Sequence, residues 1–137
     1  MLTITRRFEF CAANRIYNPD WSDEKNADVF GPCANLNGQG HNYELEVTVS
    51  GEIDPETGMI MNLRHLKQLV QEHVVNDLDH KNLNLDVPWF QAKVPSSEYL
   101  VEAIWERLDP VIGGQSAQLE KLMLRETANN YVTRTRS

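Results

Sequence analysis

From His41 to Ser50 the chain alternates without a break. Tyr43, Leu45, Val47 and Val49 fall on one side, and Asn42, Glu44, Glu46 and Thr48 on the other. Successive side chains of a strand point to opposite faces, so this stretch predicts a strand with one face on a core and one in water. That arrangement suits an antiparallel sheet and requires partner strands. Met1 to Arg15 supplies one. Leu2, Ile4, Arg6, Phe8 and Phe10 alternate there with Thr3, Thr5, Arg7, Glu9 and Cys11, and the strand should end near Ala13-Asn14. Gln118 to Thr127 alternates again. Tyr131 to Arg136 returns as a short last strand across a tight turn at Asn129-Asn130, because Asn tolerates positive φ.

The middle of the chain changes period. Gly51 to Gly58 reads as a turn, since Asp54-Pro55 and the glycines break strands, and Met59 to Met61 has room for a brief pairing. Asn62 caps a predicted helix to about Leu78, with Leu63, Leu66, Leu69, Val70 and Val74 on one stripe. Ser96 or Ser97 caps a second, in which Glu98 falls in the first turn and Leu100 or Val101, Ile104, Trp105 and Leu108 form the apolar stripe. Asp109-Pro110 stops it, and Gly113-Gly114 loosens the link onward. Residues 16–40, rich in Pro, Gly, Asn and Asp, read as a long loop, and loops of that length are usually functional. The predicted class is α+β, in the order ββααββ. Two helices cover one face of a four-stranded antiparallel sheet whose open edges invite oligomerisation.

A length of 137 residues allows one domain, residues 1–137, with a real core. The formal net charge of −7 argues against a nucleic-acid partner. No apolar run approaches the ~20 residues of a membrane helix. Met1 to Phe10 lacks the apolar core of a signal peptide, so cytoplasm is the expected location. The two cysteines, Cys11 and Cys33, are expected to be reduced thiols there.

Four places have residues suited to chemistry. Cys33 precedes a Gly-rich run to His41, and a loop thiol near a histidine is either a base or nucleophile or a quiet structural residue. Asp79-His80 is either a carboxylate that orients an imidazole for proton transfer or a helix end whose histidine meets the last carbonyls. Glu126 shares a face with Leu122 and Leu124, so it needs a partner, which is either a salt bridge or a ligand. His41 enters a strand as a boundary residue or as one donor of a metal site that would need three or four. His65 and His73, eight positions apart on a helix, are separated by about 12 Å of rise and cannot share a metal.

In order and spacing, several segments together resemble the 6-pyruvoyl-tetrahydropterin synthase family, which includes the bacterial 6-carboxytetrahydropterin synthases of queuosine biosynthesis. They are Phe10 to Arg15, Cys33 to Tyr43, Gly51 to Leu63, Leu78 to Leu83, Ser96 to Glu98 and Arg125 to Thr127. The resemblance covers nearly the whole chain. It implies the tunnelling fold, in which trimers close a barrel of antiparallel strands and two trimers stack as a homohexamer. It also implies a lyase of pterin metabolism, tetrahydrobiopterin formation included, that acts on 7,8-dihydroneopterin triphosphate at sites between subunits. In such sites zinc is held by three histidines, a cysteine is the base, an Asp-His pair relays protons and a glutamate anchors the pterin.

Carried onto this sequence, the base is Cys33 and the relay is Asp79 with His80. The pterin anchor is Glu126, with Thr127, Ser97 and Glu98 lining the pocket. The zinc positions depart from the pattern. Asn14 and Gln39 stand where the family has histidines, and only His41 remains. Zinc is therefore expected to be absent or weakly held. The chain is then an enzyme of the family acting on dihydroneopterin triphosphate or a related pterin, a non-catalytic pterin-binding paralogue, or a family enzyme with an altered metal site.

Overall fold

A computed structural model describes residues 1–90, 93–113 and 116–137. The link expected at Gly113-Gly114 lies partly outside the described residues, since Gly114 is not among them. Strands β1 (Thr3–Asn14) and β2 (Gln39–Ser50) form a long antiparallel pair, with Phe10 opposite Tyr43, Ala12 opposite His41 and Asn14 opposite Gln39. β4 (Gln118–Arg125) pairs with the free edge of β2, and β5 (Tyr131–Thr135) pairs with β4, both antiparallel.

The sheet differs from the expected four antiparallel strands. It has five, in the order β3-β1-β2-β4-β5, and β3 (Lys81–Asn82) runs parallel to β1. The chain leaving the helix returns along the outer edge of β1, where His80 donates its N–H to the Cys11 carbonyl and Leu83 to the Ala13 carbonyl, each at 2.7 Å. Two polar residues carry no alternation, so this strand has no periodic signal in the sequence.

Helix α2 covers residues 63–78. Asn62 caps it by accepting the Arg64 N–H, and a π turn at Gln71–Val75 interrupts it before its last turn, Asn76–Leu78. The wide turn leaves the His73 carbonyl free to accept Arg107 Nε at 2.7 Å, and the same guanidinium bonds Asp77 at 2.8 Å. Helix α3 (Ser97–Leu108) is capped by Ser96, whose Oγ accepts the Tyr99 N–H. Both helices pack on one face of the sheet. Leu66, Val70, Val74, Leu100, Ile104 and Leu108 are buried there against Phe8, Phe10, Tyr43, Leu45, Val47 and Leu122. The opposite face of β1 and β2 is polar and crossed by the Arg7–Glu44 and Arg125–Glu44 ion pairs.

The expected loop 16–40 is also more ordered than its composition implies. It contains helix α1 (Asp23–Phe30) and a 3-10 turn, Gly31–Ala34. Ser22 caps α1 by accepting the Lys25 N–H, with Asp23 and Glu24 favourably placed at its positive end. Met59, expected to begin a brief strand, makes only a single bridge to Asp54. The Asn129-Asn130 turn forms without positive φ. Among the described residues the one non-glycine with that conformation is His80, at 63°.

Candidate functional site

The sheet register brings Asn14, Gln39 and His41 together on the helix-covered face, where the two central strands end. Gly38 makes this approach possible. Its φ is +73°, and a Cβ there would lie 2.7 Å from the Asn14 carbonyl oxygen. A side chain at this position would push the β2 entry away from β1.

Asn14 is fully buried. Its Nδ2 donates to the Tyr43 hydroxyl at 3.4 Å and to the Pro95 carbonyl at 3.3 Å, and its Oδ1 accepts Gln39 Nε2 at 3.4 Å. The Asn14 amide is therefore engaged by Gln39, the Tyr43 hydroxyl and the Pro95 carbonyl. Carboxamide oxygens are also poor zinc ligands beside imidazole, and a zinc site needs at least three good donors. The set Asn14, Gln39 and His41 offers one imidazole and two engaged amides. It does not fit zinc, and no chemical step is assigned to a metal there.

Glu126 follows the last residue of β4 and points to the same face. Its Oε2 accepts the Ser97 hydroxyl at 2.7 Å, and its Oε1 lies 3.0 Å from His41 Nε2. The His41 nitrogen is buried, and the approach is not aligned as a hydrogen bond, so this nitrogen has no hydrogen-bond partner among the described residues. The Glu126 charge also acts on Tyr43. Burial first, and that charge second, push the phenol well above its ordinary pKa, so Tyr43 remains a neutral donor. Of the other expected pocket residues, Glu98 is exposed in the first turn of α3. Thr127 is exposed in the β4–β5 turn, where its Oγ1 accepts the Asn129 N–H at 3.3 Å.

A second cluster forms at the β1–β3 edge. Asp79 Oδ1 accepts the Cys11 N–H at 2.9 Å, and Oδ2 lies 3.1 Å from His80 Nδ1. The Cys11 N–H holds the Asp79 carboxyl below its ordinary pKa; partial burial opposes this, and His80 and the Cys11 thiol assist it. Donor atoms of Cys11, Asp79 and His80 all lie within 4.8 Å of one another. Beside them is an open cavity of about 490 Å³, lined by Cys11, His80 and Asp86 among others.

The structure thus joins Asp79 with His80, and Glu126 with Ser97 and His41. It does not join the first pair to Cys33. That thiol sits in the 3-10 turn after α1, where the Cys33 carbonyl accepts the Ile16 N–H at 2.8 Å. The thiol beside Asp79-His80 is Cys11, which the sequence did not single out. Strand alternation puts Cys11 on the face opposite Asn14, so the Asp79 cluster and the Glu126 cluster lie on opposite faces of one sheet. Tyr43 was also missed as a site residue. Its place in the apolar stripe signalled a core residue, and it is one, with its hydroxyl at the edge of the site.

Comparison with known proteins identifies the family and the fold. The family model described as 6-pyruvoyl tetrahydropterin synthase matches residues 3–137. The 6-pyruvoyl tetrahydrobiopterin synthase of Pongo abelii is 47% identical over 129 residues, covering 94% of this chain and 88% of that one. The Homo sapiens protein of the same name is 46% identical over the same shares. The solved structure of Caenorhabditis elegans 6-pyruvoyl tetrahydropterin synthase superposes with a TM-score of 0.91 at 38% identity, covering 99% of this chain and 96% of that one. A model that matches nearly end to end, relatives near half identity and a shared fold agree, and the chain belongs to the 6-pyruvoyl tetrahydropterin synthase family of pterin-metabolism lyases.

Proposed function

We infer that this chain binds the ring of 7,8-dihydroneopterin triphosphate, or of a related pterin, through Glu126, and transfers protons at the pterin side chain without zinc at Asn14, Gln39 and His41. The observation that carries the reading is the Glu126 carboxylate, held by the Ser97 hydroxyl at 2.7 Å in a partly buried position. A pterin presents adjacent ring and exocyclic N–H donors, and an oriented carboxylate accepts such a pair strongly. Ser97 fixes the carboxylate, while Glu98 and Thr127 border the opening.

Proton transfer falls to Asp79 and His80, with Cys33 as the base. Asp79 is anionic across the neutral range and accepts from His80 Nδ1, which leaves Nε2 of an exposed imidazole to exchange protons with a reacting group. Because these residues and Glu126 lie on opposite faces of one sheet, the reading assigns the complete site to a junction between protomers of a homo-oligomer. Without Lewis-acid help at the side-chain oxygens, the less demanding steps are favoured, such as epimerisation or retro-aldol cleavage.

The Asn14–Gln39 contact favours a second reading, in which the pocket binds a pterin and performs no chemistry. One experiment separates the two. Metal content of untagged protein is measured by mass spectrometry, alongside turnover of dihydroneopterin triphosphate with and without added zinc and pterin binding by wild type and Glu126→Ala. Turnover that does not rise with added zinc, with binding lost in Glu126→Ala, is the expected result. Saturable binding without any turnover leaves the second reading. Binding unaffected by Glu126→Ala overturns both.

A further inference from the structure

We propose that Cys11, Asp79 and His80 form a binding site for a divalent transition metal, separate from Asn14, Gln39 and His41. The three side chains offer a thiol sulfur, a carboxylate oxygen and an imidazole nitrogen, all within 4.8 Å of one another. From zinc's bond lengths, tetrahedral ligand atoms stand about 3.3–3.8 Å apart, so side-chain movements of about 1 Å bring this set to coordination distance. Three protein donors and one open position facing solvent are the composition of an open zinc site. His80, whose side chain is 80% exposed, and the adjoining cavity leave that fourth position to water.

The donors are held together before any metal arrives. Asp79 Oδ1 accepts the Cys11 N–H, which turns Oδ2 toward His80. The His80 N–H bonds the Cys11 carbonyl at 2.7 Å, so Asp79 and His80 are both fastened to the backbone of Cys11 in β1. His80 is held at φ 63°, a conformation uncommon for a non-glycine residue and one that persists when its surroundings enforce it. That backbone turn directs Nδ1 back onto the carboxylate. A carboxylate oxygen bonded to a backbone N–H is the kind of outer contact that fixes a metal ligand's orientation.

The donor types select the ion. Thiolate and imidazole favour zinc, cobalt or nickel, whereas calcium and magnesium require oxygen ligands. On binding, the Cys11 thiol loses its proton to solvent and the sulfur bonds the metal. His80 Nδ1 turns from Asp79 to the metal, while Nε2 remains outward. The site rests on this geometry alone, so it survives if Asp79-His80 proves not to relay protons. If the relay reading also holds, excess zinc lowers turnover, because the metal takes the Nδ1 position from the proton.

The test is titration of the purified, metal-free full chain with cobalt(II) under a non-thiol reductant. The expected result is a near-ultraviolet thiolate-to-cobalt absorption saturating at one ion per chain and abolished by zinc. Cys11→Ser should lose the band, whereas Cys33→Ser and His41→Ala should keep it. His80→Asn, which keeps a residue type tolerant of positive φ, should weaken cobalt binding at least tenfold with the far-ultraviolet circular dichroism unchanged. No thiolate band in the wild type overturns the proposal, whatever the variants do. So does a band that survives Cys11→Ser or disappears with Cys33→Ser.

Discussion

His41 Nε2 lies 3.0 Å from Glu126 Oε1 without the alignment of a hydrogen bond. This imidazole is the one histidine at the three positions where the resemblance implies zinc ligands, yet it faces the carboxylate expected to bind the pterin. A buried polar atom left without a hydrogen bond costs on the order of 1–3 kcal/mol, which favours a ligand able to engage it. The relationship ranks the two residues. If the pterin is held by the carboxylate and no metal links His41 to the ligand, Glu126→Ala should weaken dihydroneopterin binding by at least tenfold and His41→Gln by less. Fluorescence titration measures both. A larger loss from His41→Gln would mean that His41 holds the ligand, directly or through a metal.

Residues whose surroundings are set locally were legible in the sequence. Tyr43, Leu45, Val47 and Val49 share a buried face, as their alternation requires, and Ser96 caps the helix that places Ser97 beside Glu126. The α1 helix was also within reach, since Ser22 followed by Asp23 and Glu24 is a helix-start pattern, but the Pro, Gly and Asn around it suggested a loop. What could not be read depends on pairing between distant segments. The contact between Cys11 and Asp79 joins residues 68 positions apart, through a parallel strand with no periodicity of its own. Knowing the motif Asp79-His80 did not reveal which cysteine would stand beside it, or on which side of the sheet.

Placing imidazoles at the two positions where the resemblance implies them tests why zinc does not fit. Asn14→His with Gln39→His removes the amide contact at 3.4 Å and gives three histidines at one strand end. The double variant should take up about one zinc per chain beyond any that the wild type holds. Lewis-acid assistance is worth several kcal/mol, so turnover of dihydroneopterin triphosphate should rise about a thousandfold. Mass spectrometry of the metal and a product assay read the two effects. A double variant that folds but takes up no more zinc than the wild type would show that the pocket, and not only the ligand type, has changed.

Asp79 gives the fold an acid-sensitive contact. The Cys11 N–H, helped by His80, lowers its pKa against the opposing effect of burial. A carboxyl with a lowered folded-state pKa contributes stability that is present above its unfolded pKa of about 3.9 and lost as pH falls through the folded value. The melting temperature of wild type should therefore fall more steeply below about pH 4 than that of Asp79→Asn, and the two should keep a constant difference near neutrality. The contact is partly exposed, so the difference should be small. Equal acid slopes would remove this contact from the pH response.

The outer edge of β5 provides the test of assembly. Arg136 donates its N–H to the Glu120 carbonyl and Asn130 accepts the Glu126 N–H, each at 3.0 Å, so the even-numbered residues turn their backbone groups toward β4. Tyr131, Thr133 and Thr135 therefore turn theirs outward, as an unpaired row in a single chain. An edge of this kind pairs readily with another strand, and closing a barrel between protomers would satisfy it. Thr133→Pro removes one outward donor, and its ring blocks a neighbouring strand, while the inward bonds to β4 remain. Proline is tolerated at such edge positions. The wild-type chain should sediment as a hexamer and Thr133→Pro as a smaller species with unchanged helix content. If the oligomer is needed to bring Asp79-His80 of one protomer to Glu126 of another, turnover should fall with assembly, while pterin binding through Glu126 should fall less. A variant that remains hexameric would show that the protomers do not join through this edge.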